Sequence, residues 1–162
     1  MEIFVSEEGY QQFMDILESY KQESDDNALK GNEAYSNDPG NTWHDNFDFE
    51  VMMQKSRVIA KKIDNMMLEK KNLVIVQKEE LKEDVVNIGD TLKLEIIYDE
   101  SDRDVSTVKL TGKYIPDVNS NIEEITLNSP IGKTIYKRKV GEVIDFTINE
   151  NNAKVKILEK VN

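Results

Sequence analysis

The sequence predicts an α+β protein: an N-terminal antiparallel two-helix coiled-coil hairpin followed by an antiparallel sheet domain with one short helix. Three observations lead there. Before about residue 73, apolar residues recur at helical spacing, with a single proline, Pro39. After it, apolar and polar residues alternate and turn signals punctuate the chain. Between the two helical runs stands Asp38-Pro39-Gly40-Asn41, a strong turn sequence. The expected division is a hairpin over 1–73, with a functional tip near 38–50, and a β domain over 74–162.

Ser6 has the chemistry of an N-cap, and Glu7 and Glu8 suit the positive end of the helix it starts. Tyr10, Phe13, Leu17 and Tyr20 are spaced 3, 4 and 3 apart and lay one apolar seam along that helix. The seam then weakens. Residues 21–34 offer it only Ala28 and Leu29, and Gly31 lowers helix propensity. The helix is still expected to continue to Ser36, because so long a structureless loop is unusual in a compact protein. The second helix is expected from Asp45 to about Lys71, with Met52, Ile59, Ile63 and Met66 on its seam. Helices of about 30 residues reach roughly 45 Å. A thin two-helix rod has little core of its own, so its projecting end is the part to examine for function.

Leu73-Val74-Ile75-Val76 is a short apolar strand. Leu92, Leu94 and Ile96 alternate with Thr91, Lys93 and Glu95. Val108 and Leu110, then Val155 and Ile157, repeat the pattern, as a half-buried strand requires. Turns fall at Ile88-Gly89-Asp90, 99–104, 117–121 and 149–152, which gives about five strands. The one obvious helix runs from Pro130 to about Tyr136, with Ser129 as N-cap and Pro130 at the first helical position.

Charge and composition exclude several functions. Charged residues make up 33% of the 162 residues and the net charge is −11, so a basic cleft on another protein is a better partner than free nucleic acid. Without cysteine there is no disulfide, zinc–thiolate site or thiol nucleophile. No apolar run approaches the ~20 residues that span a bilayer, and the N-terminus lacks a signal-peptide pattern. These features lead to the expectation of a soluble cytoplasmic protein with no membrane partner.

The stretch Ile125 to Phe146, with N-S-P-I-G-K and K-V-G-E-V inside it, resembles a signature of the Gre (GreA/GreB) transcript-cleavage factor family. Val86-Asn87-Ile88-Gly89-Asp90-Thr91-Leu92 is similar to the start of that family's sheet domain, and Ser6-Glu7-Glu8-Gly9-Tyr10 to its helix start. The resemblance implies an FKBP-like fold for the β domain. It also implies binding to core RNA polymerase through its secondary channel, where the factor promotes cleavage of backtracked RNA. The catalysis would be the polymerase's, with no cofactor of the factor's own and a magnesium ion shared with the polymerase. The factor would meet the RNA 3′ end indirectly and free DNA with no high affinity.

Set against the family's acidic tip motif, Asp45 takes the place of the tip glutamate, while Thr42 stands where the family has an aspartate, with Asn41 the other candidate. The resemblance therefore makes Asp45 the metal-assisting residue, with Asp48 a second acid one turn on. Thr42, Trp43 and Phe47 become tip contacts, and Asn128, Ser129 and Pro130 a polymerase-docking segment. Magnesium takes hard oxygen ligands, and in a two-metal site the ions clamp the attacking and leaving oxygens of a phosphoryl displacement. Simple capping also suits Asp45 and Asp48, and closure of the hairpin end suits Trp43, Phe47 and Phe49. His44, the only histidine, has no nucleophile beside it in the sequence, and Lys137-Arg138-Lys139 reads as a solvated turn. Threonine in place of the second acid favours a channel-binding regulator that does not stimulate cleavage, or inhibits it. An FKBP-type prolyl isomerase is disfavoured by the few aromatics in the sheet half, Tyr98, Tyr114, Tyr136 and Phe146. A coiled-coil adaptor unconnected with transcription is the remaining alternative.

Overall fold

The structure, a computed structural model, describes residues 1–36, 47–99, 101–148 and 151–161. In chain order the elements are β1 (Ile3–Val5), α1 (Glu7–Ser36), α2 (Phe47–Lys70), β2 (Leu73–Ile75), β3 (Thr91–Ile97), β4 (Arg103–Thr111), β5 (Glu123–Thr126), α3 (Pro130–Ile135), β6 (Val143–Ile148) and β7 (Asn151–Val161). They form two compact units, Phe13–Asn72 and the combination of Met1–Gln12 with Leu73–Asn162. Among the described residues no helix is long and apolar enough to cross a membrane.

In the helical unit α1 and α2 run antiparallel. Gly31 and Asn27 lie beside Met52, Glu23 meets Lys55, and the Lys62 ammonium sits 4.9 Å over the Tyr20 ring. The seam is apolar at one end, where Phe13, Leu17, Ile59 and Met66 are buried. Towards the other end it changes. The helical period carries Asn27 and Gly31 inward, while Ala28 and Leu29, expected on the seam, are exposed. The physical reason is register. Steps of three and four from Leu17 and Tyr20 arrive at Ser24, Asn27 and Gly31, so the nearby apolar residues face outward.

The β unit is a five-stranded sheet of order β5-β4-β3-β7-β6 with α3 packed on it. The alternation places Leu92, Leu94 and Ile96 on the core face, with Val108, Leu110, Val155 and Ile157 beside them. Val86, Leu127, Ile135 and Phe146 complete the cluster. Three of the four pairings are antiparallel as expected. The fourth differs: β5 runs parallel to β4, because the chain doubles back through residues 112–122 before re-entering at the sheet edge. A second, two-stranded sheet pairs β1 with β2 in parallel, Phe4 opposite Val74, and buries Val5 completely.

Candidate functional site

Most of the predicted tip (Thr42, Trp43, His44 and Asp45) lies outside the described residues. Phe47 opens α2 with its ring three-quarters exposed, and Phe49 is half-buried. Asp48 lies in the first turn of α2, its side chain outside the described set. Among the described residues no group of three or more histidine, aspartate or glutamate side chains could hold a metal ion.

The signature segment is fully described. Within it, Asn128 faces β1. The Phe4 N–H donates to Asn128 Oδ1 at 2.8 Å, and Asn128 Nδ2 donates to the Phe4 carbonyl at 2.7 Å. One side-chain amide thus occupies both backbone groups of Phe4, as a neighbouring strand would, and closes the edge of β1 turned away from β2. Ser129 caps α3: its Oγ accepts from Gly132 N–H at 3.0 Å and donates to the Thr126 carbonyl at 2.8 Å. Pro130 holds the first helical position, where its missing N–H has no cost, and is exposed. Gly132 presses against the end of β5, where an added Cβ would collide with the Thr126 carbonyl. Of the three predicted docking residues, two have their polar atoms committed within the fold, and Pro130 alone presents its ring outward.

The other two stretches that carried the resemblance are also bound into the β unit. Ser6 Oγ accepts from Gly9 N–H at 3.1 Å and so caps α1. The Ser6 N–H donates to the Gly112 carbonyl at 2.8 Å, and Gly9 lies so close to that carbonyl that a Cβ on it would overlap the oxygen. In the turn before β3, Asp90 Oδ2 accepts from Asn87 N–H and meets Lys160 Nζ, each at 2.7 Å, while buried Asn87 donates to the Glu79 carbonyl. Lys137, in the turn after α3, has left-handed backbone geometry at φ 62°, and its ammonium reaches Glu79 at 2.7 Å. That contact holds the Lys137 ammonium above its ordinary pKa.

Two features of the loop 112–122 were not legible in the sequence. Gln12 grips it with three hydrogen bonds, its Oε1 accepting from Tyr114 and Ile115 and its Nε2 donating to the Ile115 carbonyl. Lys113 reaches both carboxylate oxygens of nearly buried Glu124 at 3.1 Å. The Glu124 bond raises the Lys113 pKa. At Glu124 burial pushes the pKa up, but Asp117 N–H and Lys113 together outweigh it and hold the carboxyl below its usual value. Neither residue repeats at a helical or strand period, so no local pattern marks them. An open groove of about 380 Å³ is lined by Ile97, Tyr98, Arg103, Asp145, Ala153 and Lys154, with Tyr98 its one aromatic.

Two antiparallel helices, the first of them capped, and a small mixed sheet with one short helix define an α+β protein of two compact units. The family described as "Transcription elongation factor, GreA/GreB, C-term" matches residues 81–160. Transcription elongation factor GreA of Thermoanaerobacter pseudethanolicus is 30% identical over 115 residues, covering 71% of this chain and 70% of that protein. GreA of Acetivibrio thermocellus is 26% identical over 161 residues, covering 98% and 95% respectively. The crystal structure of GreA factor homolog 1 (Gfh1) of Thermus thermophilus is 20% identical, with both chains covered completely at a TM-score of 0.42. The chain belongs to the GreA/GreB family of transcription elongation factors.

Proposed function

We propose that this protein binds core RNA polymerase through its secondary channel and promotes cleavage of backtracked RNA by the polymerase's own active site. The observation that carries this is family membership combined with a pair of antiparallel helices, of 30 and 24 residues, that flank an acidic connecting segment. At 1.5 Å per residue these helices are about 45 and 36 Å long. The protein's net charge of −11 suits a basic channel, so binding weakens as salt rises.

Asp45 is the residue assigned to the chemistry, with Asp48 as an auxiliary acid and Thr42, Trp43 and Phe47 as contacts around it. One carboxylate is a usable share of a magnesium shell that keeps several waters, but it cannot hold the ion unaided. The ion would therefore be the polymerase's, where it would stabilise the attacking and leaving oxygens, and Asp45 would supply one negative oxygen ligand. Docking by the β unit is assigned to Pro130, with Asn128 and Ser129 holding the turn that presents it.

A second reading has one specific observation in its favour. Thr42 stands where the family carries an acid, which suits a channel-binding regulator that does not stimulate cleavage, or inhibits it. Adding the protein to stalled, backtracked polymerase and following RNA shortening separates the two. Under the first reading the wild type shortens the RNA, and Asp45→Asn loses that stimulation while still co-eluting with polymerase, since asparagine caps helices about as well as aspartate. Under the second the wild type binds without shortening RNA, and Thr42→Asp gains cleavage. Failure to co-elute with the cognate polymerase at low salt sinks both.

A further inference from the structure

We propose that the helical hairpin is built in two parts: a permanently zipped end at Phe13, Leu17, Ile59 and Met66, and a polar, loosely zipped stretch around Asn27 and Gly31 that opens by itself. At the first end Phe13, Leu17, Ile59 and Met66 are apolar and buried, with Ile63 half-buried between the last two. Beyond Tyr20 the seam runs Ser24, Asn27 and Gly31 against Met52 and Ser56.

Asn27 is the centre of that stretch. It is only 3% exposed, and its Nδ2 donates to the Met52 carbonyl at 2.9 Å and to Ser56 Oγ at 2.6 Å. Its Oδ1 is the one buried side-chain polar atom without a hydrogen-bond partner among the described residues. A half-satisfied buried amide fixes which residues face each other, because slipping the helices would leave its donors unpaired as well. It also weakens the closed state, since the bare oxygen regains a partner only when water enters. The amide therefore sets the register of closing without holding the stretch closed firmly.

Gly31 points the same way. An added Cβ would lie 3.6 Å from Met52 Cβ, an ordinary van der Waals contact, so no steric demand calls for glycine there. Glycine in a helix interior loosens it relative to alanine without any packing return. Across the helices this stretch adds the exposed pair Glu23–Lys55 at 3.2 Å, a contact that contributes little in water. Local opening at low free energy is drawn from segments with few buried apolar contacts, which is the composition found here.

Amide hydrogen exchange followed by mass spectrometry on the full chain tests this. In the wild type, peptides spanning 22–33 exchange faster than those spanning 13–20 and 59–66. Gly31→Ala slows exchange at 22–33 by about fivefold, the equivalent of ~1 kcal/mol at 1.4 kcal/mol per factor of ten, and leaves 13–20 unchanged. Asn27→Leu, which replaces the half-satisfied amide with apolar volume, slows the same peptides, and Asn27→Ala, which removes the bonds to Met52 and Ser56, speeds them. Equal protection across 13–20 and 22–33, with both shifting together in each variant, makes the hairpin one cooperative unit and overturns the proposal.

Discussion

Asn128→Ala should destabilise the β unit. The wild-type amide satisfies both the N–H and the carbonyl of Phe4, at 2.8 and 2.7 Å. Each such bond contributes about 0.5–1.5 kcal/mol net, so removing both takes away roughly 1–3 kcal/mol. Asn128 and Phe4 are half-buried, and water can replace part of the loss, which puts the expected value at about 1–2 kcal/mol. In a unit of about 100 residues, 1 kcal/mol shifts Tm by roughly 4–8 °C. A thermal or urea melt of the full chain, with hydrogen exchange at residues 3–5, reads both the size and the place of the effect.

Asn128→Asp sharpens the test. An ionised carboxylate still accepts from Phe4 N–H, but its second oxygen then faces the Phe4 carbonyl, where Nδ2 now donates. At neutral pH the aspartate variant should be no more stable than the alanine one. Protonation restores a donor, so the folded state raises that carboxyl's pKa and the variant recovers relative to alanine as pH falls through the raised value. Two results refute the reasoning: an alanine variant that melts within ~0.5 kcal/mol of wild type with unchanged exchange at residues 3–5, or an aspartate variant with no recovery in acid. Loss of polymerase binding by a fully stable Asn128→Ala would instead make this residue a direct docking contact.

Gly132→Ala should destabilise more than a usual surface change, by about 2 kcal/mol or more, because the new methyl meets the Thr126 carbonyl and Ser129 Oγ; a melt at wild-type temperature refutes it. Glu124→Gln should flatten the acid limb of stability. The wild-type carboxyl is held below its ordinary value, so its contribution is complete above that value and fades as pH falls through the lowered one. Urea melts from pH 7 to pH 3 should therefore show wild type and variant converging in acid; parallel curves contradict this. A fragment of residues 74–162 should melt below the full chain's β unit, because it lacks Phe4 and Val5, the latter wholly buried. Equal melting temperatures would show that β1 contributes nothing.

How far the sequence could be read depended on how local the determinants were. Alternation at Leu92, Leu94 and Ile96 survives intact because each strand buries one face, and a period of two is visible within six residues. The caps at Ser6 and Ser129 were legible for the same reason, since each acts on an amide three residues away. Strand β1 was not, because three residues carry no period and its partner lies about seventy positions on. The parallel placement of β5 depends on a loop held by Gln12, about a hundred positions away, and by Glu124, whose contacts follow no helical or strand period. Asn27 is hidden for a different reason: the apolar letters carry the expected seam through Ala28 and Leu29, whereas helix geometry extends it by position.

The signature at 125–146 was the clearest family signal, and the structure explains what kind of signal it is. Asn128 closes a strand edge, Ser129 caps a helix, and Gly132 leaves room for a carbonyl. Each is fixed by a backbone atom of this same chain, so each reports how the β unit is built. Such residues specify a fold wherever it is used, with or without a given activity. Cleavage chemistry needs a carboxylate presented to the RNA, and the two in the signature, Glu142 and Asp145, lie beside Arg138 and Lys154 on the β unit. Asp45, and the threonine at position 42, carry that question. Two members of this family could therefore share every residue of the signature and still differ in what they do to the RNA, with the difference in the segment that joins the two helices.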